Sequence, residues 1–412
     1  MFRYILTAFL LVVLLPAYAM SDVPQWVKAL PGTSLVSIER TLDGGYIAAG
    51  SKNYKNGSSK ALLVRFDSSG NIQWARTYQL SNNDSASMVW KADDGGFVFI
   101  GSTSTNGGDA FLIKVDASGK ILWQKVYGTP SHEDGTAIFR TSDGGFFVLG
   151  NSSSGTWCMK LDSKREISWV KIYGGTFAPR AAAGTREGGL MFVGGPDPTF
   201  VKIDSSGNIT WRKETWGGMQ ATAVTTTFDG GYVVGGVLRV PMIGATGRVF
   251  KLDSQGNVSW SKGINYGGDF AGVSAVRQEN DGHILVMGYG YYAGRNIFSA
   301  RLSAQGEMLW NQTFGRGETH EGEILAIHDT FDDGTAFVGE RNKDSRWDSL
   351  VGRTSAAGDV CTTLQESTHV RIYNLDMKVH FAHVRVTEGA FAVRTANFTQ
   401  TPVDIRTIDL CQ

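Results

Sequence analysis

DGGFVFIGSTSTNGGDAFLIKVDASGKILW, from Asp94 to Trp123, holds one full copy of the pattern on which the chain is built. It opens with an Asp-Gly-Gly turn and an apolar strand. A polar loop and a second strand follow, then an Asp-x-x-Gly turn and a strand carrying Trp. The opening turn returns at Asp43, Asp143 and Asp229, and in weaker form at Glu187, Asp281 and Asp333. The Trp returns at Trp74, Trp169, Trp211, Trp260 and Trp310. Both ladders step by 42 to 52 residues, and β-branched and aromatic residues tend to alternate between the anchors, which is strand composition.

Each turn has a physical reason. Asp-Gly-Gly supplies the positive φ that a tight hairpin needs. In Asp67-Ser68-Ser69-Gly70-Asn71 the Asp can bond the backbone ahead of it, and Gly takes the left-handed position. Arg165 stands at that Gly position in the third repeat, which predicts a strained turn.

One repeat therefore makes four strands with two apolar faces. Such a unit cannot stand alone and must stack into a closed ring, so the expected fold is an all-β, seven-bladed propeller of four-stranded blades. Seven opening turns meet only six downstream Trp anchors, and Cys361 falls where a seventh Trp is due. The missing strand lies at the other end, around Gln25-Trp26-Val27-Lys28. It is expected to complete the last blade and close the ring. Small residues and then an apolar ladder precede the anchors, with His328 as the single polar exception.

Three segments are expected. Residues 1–19 read as a signal peptide, with an apolar run ending in Ala17-Tyr18-Ala19. Residues 24–361 form the propeller, and 362–412 a short C-terminal β tail packed on it. The expected location is exported, periplasmic or extracellular, with no membrane span. Lys+Arg and Asp+Glu balance at 39 each, which gives no field favouring nucleic acid. Cys361 and Cys411 bracket the tail, and an oxidising compartment allows them to form a disulfide. That leaves Cys158, beside Trp157 and Met159, as a buried thiol.

The string DGGY…K-x-D-S-S-G-N-x-x-W resembles the β-propeller repeats of secreted bacterial and archaeal proteins over residues 25–361. It is distantly similar to quinoprotein-type propellers, whose Asp…Gly…Trp docking element is alike. The interval from Asp67 to Trp74 is one residue shorter than in that family, and its Thr-Gly-Lys is missing.

No residue set announces a reaction, a cofactor or a metal site. His369, His380 and His383 sit in a strand-like segment, where an i, i+3 pair points to opposite faces. His132-Glu133-Asp134 and His320-Glu321 precede inner strands and read as solvated loop polarity. The turns share one rim of the ring, while loops of unequal length share the other. That loop-bearing rim is the expected binding face, and its richest patch is Tyr289, Tyr291, Tyr292, Arg295, Arg346 and Trp347. The expected function is a non-catalytic binding or scaffold propeller engaging a protein or glycan there. The competing reading is a propeller enzyme, either a quinone-dependent oxidoreductase or a polysaccharide-acting lyase or hydrolase. A convergent polar set around the central funnel would separate the two, and the sequence shows none.

Overall fold

The computed structural model describes residues 25–360, apart from 175–177, 196–198, 216–218, 241–243, 267–269, 292–294, 315–320 and 344–345. Beyond 360 it describes 365–366, 370–374, 379–381, 386–388, 392–394, 399–403, 405 and 408–409. The segment expected to be a signal peptide lies outside these residues, as do Cys361 and Cys411.

Seven four-stranded antiparallel blades surround a central axis. Their inner strands, in order, are Thr33–Arg40, Asp84–Lys91, Glu133–Arg140, Pro179–Gly184, Met219–Thr226, Phe270–Gln278 and Glu321–Asp329. The first six blades take all four strands from consecutive sequence. In the seventh, Trp26–Pro31 pairs antiparallel with Arg346–Thr354 and supplies the outer strand. Its first five residues are buried, so the orphan strand read from the sequence is a core element.

Trp and Gly anchors interlock from blade to blade. A Cβ built on Gly70 would lie 2.5 Å from the Trp26 indole, and one on Gly358 2.2 Å from that of Trp310. Gly119, Gly207, Gly256 and Gly306 meet Trp74, Trp169, Trp211 and Trp260 at 2.6 to 3.0 Å. Each of these indoles thus lies against the next blade's Gly turn, which begins with Asp in four cases and with Ser303 or Ser355 in the other two, and a side chain there would push it away. Trp26 Nε1 also donates to Ser68 O and Trp74 Nε1 to Ala117 O, both at 3.1 Å. Trp26 docks the seventh blade onto the first as the other tryptophans dock theirs.

The opening turns are tied down in a second way. A basic residue near the end of each third strand reaches back to the turn carboxylate. Arg65–Asp43 and Lys114–Asp94 are both 2.6 Å, Lys160–Asp143 is 2.8 Å and Lys202–Glu187 is 3.4 Å. Lys251–Asp229, Arg301–Asp281 and Arg353–Asp332 complete the set.

The last of these corrects the sequence reading by one residue. Thr330 Oγ1 donates to Asp332 at 2.5 Å, as Thr41 does to Asp43. Asp333 takes the left-handed position, φ 61°, where the other blades have Gly. The seventh turn is therefore anchored on Asp332. Counted from there, Ile327 continues the apolar ladder and His328 aligns with Glu39. His328 breaks nothing.

Beyond residue 360 the chain makes a full circuit of the ring. Gln365–Glu366 pairs with the outer strand of the sixth blade, and Val370–Asn374 with that of the fifth. Val379–Phe381, Val386–Glu388, Ala392–Arg394 and Thr399–Pro402 follow on the fourth, third, second and first. Ile408–Asp409 ends the circuit on Trp26–Pro31 of the seventh. Every pairing is antiparallel, so the tail lays a short fifth strand on each blade edge. Edges left bare would recruit other chains.

Candidate functional site

Every inner strand carries a β-bulge at the same place. The register skips one residue between Leu35 and Ser37, Ala86 and Met88, and Gly135 and Ala137. It does so again between Pro179 and Ala181, Ala221 and Ala223, Val273 and Ala275, and Ile324 and Ala326. A bulge residue has no ladder partner and is re-aimed out of the sheet. The seven bulge residues are Val36, Ser87, Thr136, Arg180, Thr222, Ser274 and Leu325, and all seven line one central funnel of about 570 Å³.

The funnel lies near the N-terminal ends of the inner strands, which places it toward the loop-bearing rim. Asp134 and Glu323, each two residues before its bulge, add carboxylates to the lining, and Ser102 and Asn151 add neutral polar groups. Arg180 is exposed and is the one basic residue in that lining. Ser274 Oγ donates to Glu323 Oε1 at 3.2 Å, tying the sixth blade to the seventh. The Asp134 carboxylate lies 2.9 Å from His132 Nε2, whose Nδ1 is 3.1 Å from Gly107 O. Hydrogen bonding to Asp134 and to that carbonyl raises the His132 pKa above its ordinary value. Two carboxylates and a guanidinium thus line one space, and His132 is bonded to Asp134 from outside that lining.

Of the residues flagged in the sequence, Asp134 lines this centre, and the other described ones fall around it. Glu133 is buried and structural, accepting hydrogen bonds from Thr129 N at 2.8 Å and Thr129 Oγ1 at 2.6 Å. Tyr289 is also buried, paired in register with Gly272, where a Cβ would lie 2.6 Å from its ring. Tyr291 pairs with Arg295, and Arg346 with Lys343, at the tips of neighbouring hairpins on the loop-bearing rim. Trp347 stands opposite Asn342 and is 43% exposed. Tyr292 lies outside the described residues, as do His320, His369 and His383. His380 pairs with Glu214 on the fourth blade, and no cluster of metal-ligating side chains occurs among the described residues. Cys158 is a fully buried free thiol whose pKa is pushed up by burial.

Comparison with known proteins supports the distant quinoprotein-type relationship. A family model described as outer membrane protein assembly factor BamB, of the PQQ_2 type, matches residues 152–331. No curated protein matches the chain. Among solved structures, a streptogramin B lyase is similar at 12% identity with a TM-score of 0.54, over 79% of this chain and 97% of the lyase. The Neurospora crassa Pan2 WD40 domain gives 14% and 0.54, over 81% and 97%. YCF48 bound to D1 peptide gives 12% and 0.51, over 81% and 95%. At such identities the likeness establishes the propeller fold. Among the described residues, no helix is long and apolar enough to cross a membrane.

Proposed function

We propose that this chain is an exported, non-catalytic binding propeller, periplasmic or extracellular, that engages a protein or glycan through its loop-bearing rim. The observation that carries this reading is the funnel. Seven repeats that agree at their turns differ at the bulge ring, which holds Val36, Ser87, Thr136, Arg180, Thr222, Ser274 and Leu325. A rigid frame with a varied, polar, concave centre is a recognition surface. The BamB-type match over residues 152–331 fits an envelope scaffold. The reading assigns aromatic and guanidinium contacts at the edge of that rim to Tyr291, Tyr292, Arg295, Arg346 and Trp347, and leaves out the buried Tyr289.

One observation favours a second reading, that of an enzyme acting on a polysaccharide or similar substrate. Asp134 with His132 at 2.9 Å, together with Glu323 and Arg180, is the raw material of acid–base chemistry. The lyase fold neighbour shows that this architecture can host catalysis, which fold alone does not transfer.

A photo-crosslinking residue placed at Arg180, and separately at Arg186 on the turn-bearing rim, tests the binding reading in the native envelope. Discrete adducts from position 180 and none from 186 are expected. The reverse pattern contradicts it. Polysaccharide turnover that disappears in Asp134→Asn, with folding intact, replaces it with the enzyme reading.

A further inference from the structure

The docking of Trp onto Gly repeats at every seam of the turn-bearing rim but one. Between the second and third blades the indole of Trp123 meets Arg165 instead of Gly. Arg165 adopts φ 68°, strained for a residue with a Cβ, and its guanidinium lies 5.1 Å from the Trp123 ring centroid. At the six glycine seams a Cβ would come within 2.2 to 3.0 Å of the docked indole, so a side chain there forces the two surfaces apart. Here the two surfaces cannot close as they do elsewhere. Tyr78 and Tyr173 close their seams by donating to Gly119 O at 2.7 Å and Gly207 O at 2.8 Å. Their counterpart Tyr127 is buried with no hydrogen-bond partner for its hydroxyl. The carbonyl it would use, Arg165 O, accepts from Lys125 Nζ at 3.0 Å.

A cavity of about 230 Å³ opens at this seam. Trp90, Trp123 and Phe146 give it aromatic walls, and Phe146 is only half-buried, whereas its equivalents Tyr46, Phe97 and Tyr232 are buried. The charged lining is three cations, Lys114, Arg140 and Arg165, against two acids, Asp93 and Asp94. Lys114 is paired with Asp94 at 2.6 Å and Arg140 with Asp93. Arg165 has no carboxylate partner among the described residues, which leaves one guanidinium uncompensated.

We infer that this seam is a second binding site, distinct from the funnel and on the opposite rim, for a single pyranose ring bearing a carboxylate. The volume suits one ring rather than a larger ligand. Indole faces take the C–H surface of a sugar by stacking. The two ion pairs offer both donors and acceptors to ring hydroxyls, and Arg165 receives the carboxylate as a charge-assisted fork.

Titrating the full chain with methyl glucuronide while following tryptophan fluorescence tests this, with methyl glucoside and benzoate as comparison ligands. Saturable quenching by the glucuronide is expected, with each comparison ligand roughly tenfold weaker. Arg165→Gly lets Trp123 dock as its six counterparts do, so this variant should melt higher and lose the quenching. Arg165→Lys keeps the gap and is expected to bind the glucuronide more weakly, not to lose it. Unchanged binding in Arg165→Gly overturns the site, as does no saturable quenching by the glucuronide. A glucoside as tight as the glucuronide overturns the role of the carboxylate, and benzoate as tight overturns the pyranose.

Discussion

Both ends of the described chain join the ring as added strands, yet they do different work. Trp26–Pro31 lies inside the seventh sheet, with Arg346–Thr354 on one side and Ile408–Asp409 on the other. It places Val27 and Ala29 in one core cluster and Trp26 and Leu30 in another. The tail distributes seven strands of two to five residues over seven blade edges. Among the tail residues whose burial is described, Ile405 joins the cluster of Trp26 and Leu30. One end is a keystone and the other a belt. Position in the sheet decides this, because a strand flanked on both edges and buried on both faces gains apolar contacts that an outermost strand does not.

Removing the keystone is the heaviest intervention. Deleting residues 25–31 exposes the edge of Arg346–Thr354 and withdraws four buried apolar side chains. At about 1.5–3 kcal/mol for each large one, a loss of roughly 5 kcal/mol or more is expected, seen as loss of the cooperative calorimetric transition. A deletion that melts like the parent would reduce the N-terminal strand to the rank of the tail.

Second is the fastening of the belt. Val360 packs in the cluster that holds Val27 and Ala29, and Asp409 pairs with Lys28. Cys361 and Cys411 follow Val360 and Asp409 in the sequence by one and two positions. A disulfide between them closes a loop worth about 4 kcal/mol on the chain-entropy model. Non-reducing peptide mapping should find 361 linked to 411 and Cys158 alkylated only after unfolding. Free 361 and 411 would leave the belt held by its short ladders alone.

A single methyl group sharpens the role of Trp26. Gly70→Ala puts a Cβ at φ 77°, 2.5 Å from the indole. Strain and overpacking together predict a loss of roughly 2–4 kcal/mol, measured as a drop in denaturation midpoint. The same change at Gly57 (φ 82°), with nothing within 4 Å, should cost only the strain.

The smallest effect is at the closing seam, where His328 on the seventh blade bonds Glu39 on the first at 3.0 Å and Asp329 at 2.8 Å. Burial works against its charge, but the bonds to Asp329 and Glu39 outweigh burial and hold its pKa at about 9, up from 6.5. A raised pKa means that the stabilisation is complete below pH 6.5 and fades as pH climbs through 9. The parent should therefore lose more melting temperature than His328→Gln between pH 6.5 and 9. Parallel pH profiles would remove the imidazolium from the account.

The ring was legible because its anchors recur: Gly where a turn needs positive φ, and a Trp in the strand that follows. The seventh turn was misplaced by one because Asp332 and Asp333 both suit the motif, and the ion pair to Arg353, the Thr330 hydrogen bond and the positive φ at Asp333 that separate them appear only in the fold. The funnel was hidden because a bulge is a property of register, which requires the partner strand. Arg180 is unremarkable until Pro179 and Ala181 are seen to pair around it. The route of the tail was hidden for another reason, since strands of two to five residues carry no usable periodicity. At the turn-bearing rim, the Trp–Gly pattern breaks at Arg165, the residue the sequence had already marked as out of place.

Hydrogen exchange on the outer strands tests the contrast between keystone and belt most directly. Amides of Ile72–Gln79, Ile121–Gly128, Ile167–Tyr173, Ile209–Thr215, Val258–Tyr266 and Met308–Phe314 are followed in the full chain and in a chain ending at residue 361. The account predicts faster exchange along these edges in the shortened chain, with inner-strand protection and the cooperative transition retained. Exchange unchanged along the outer strands, or protection lost throughout the ring, would contradict it.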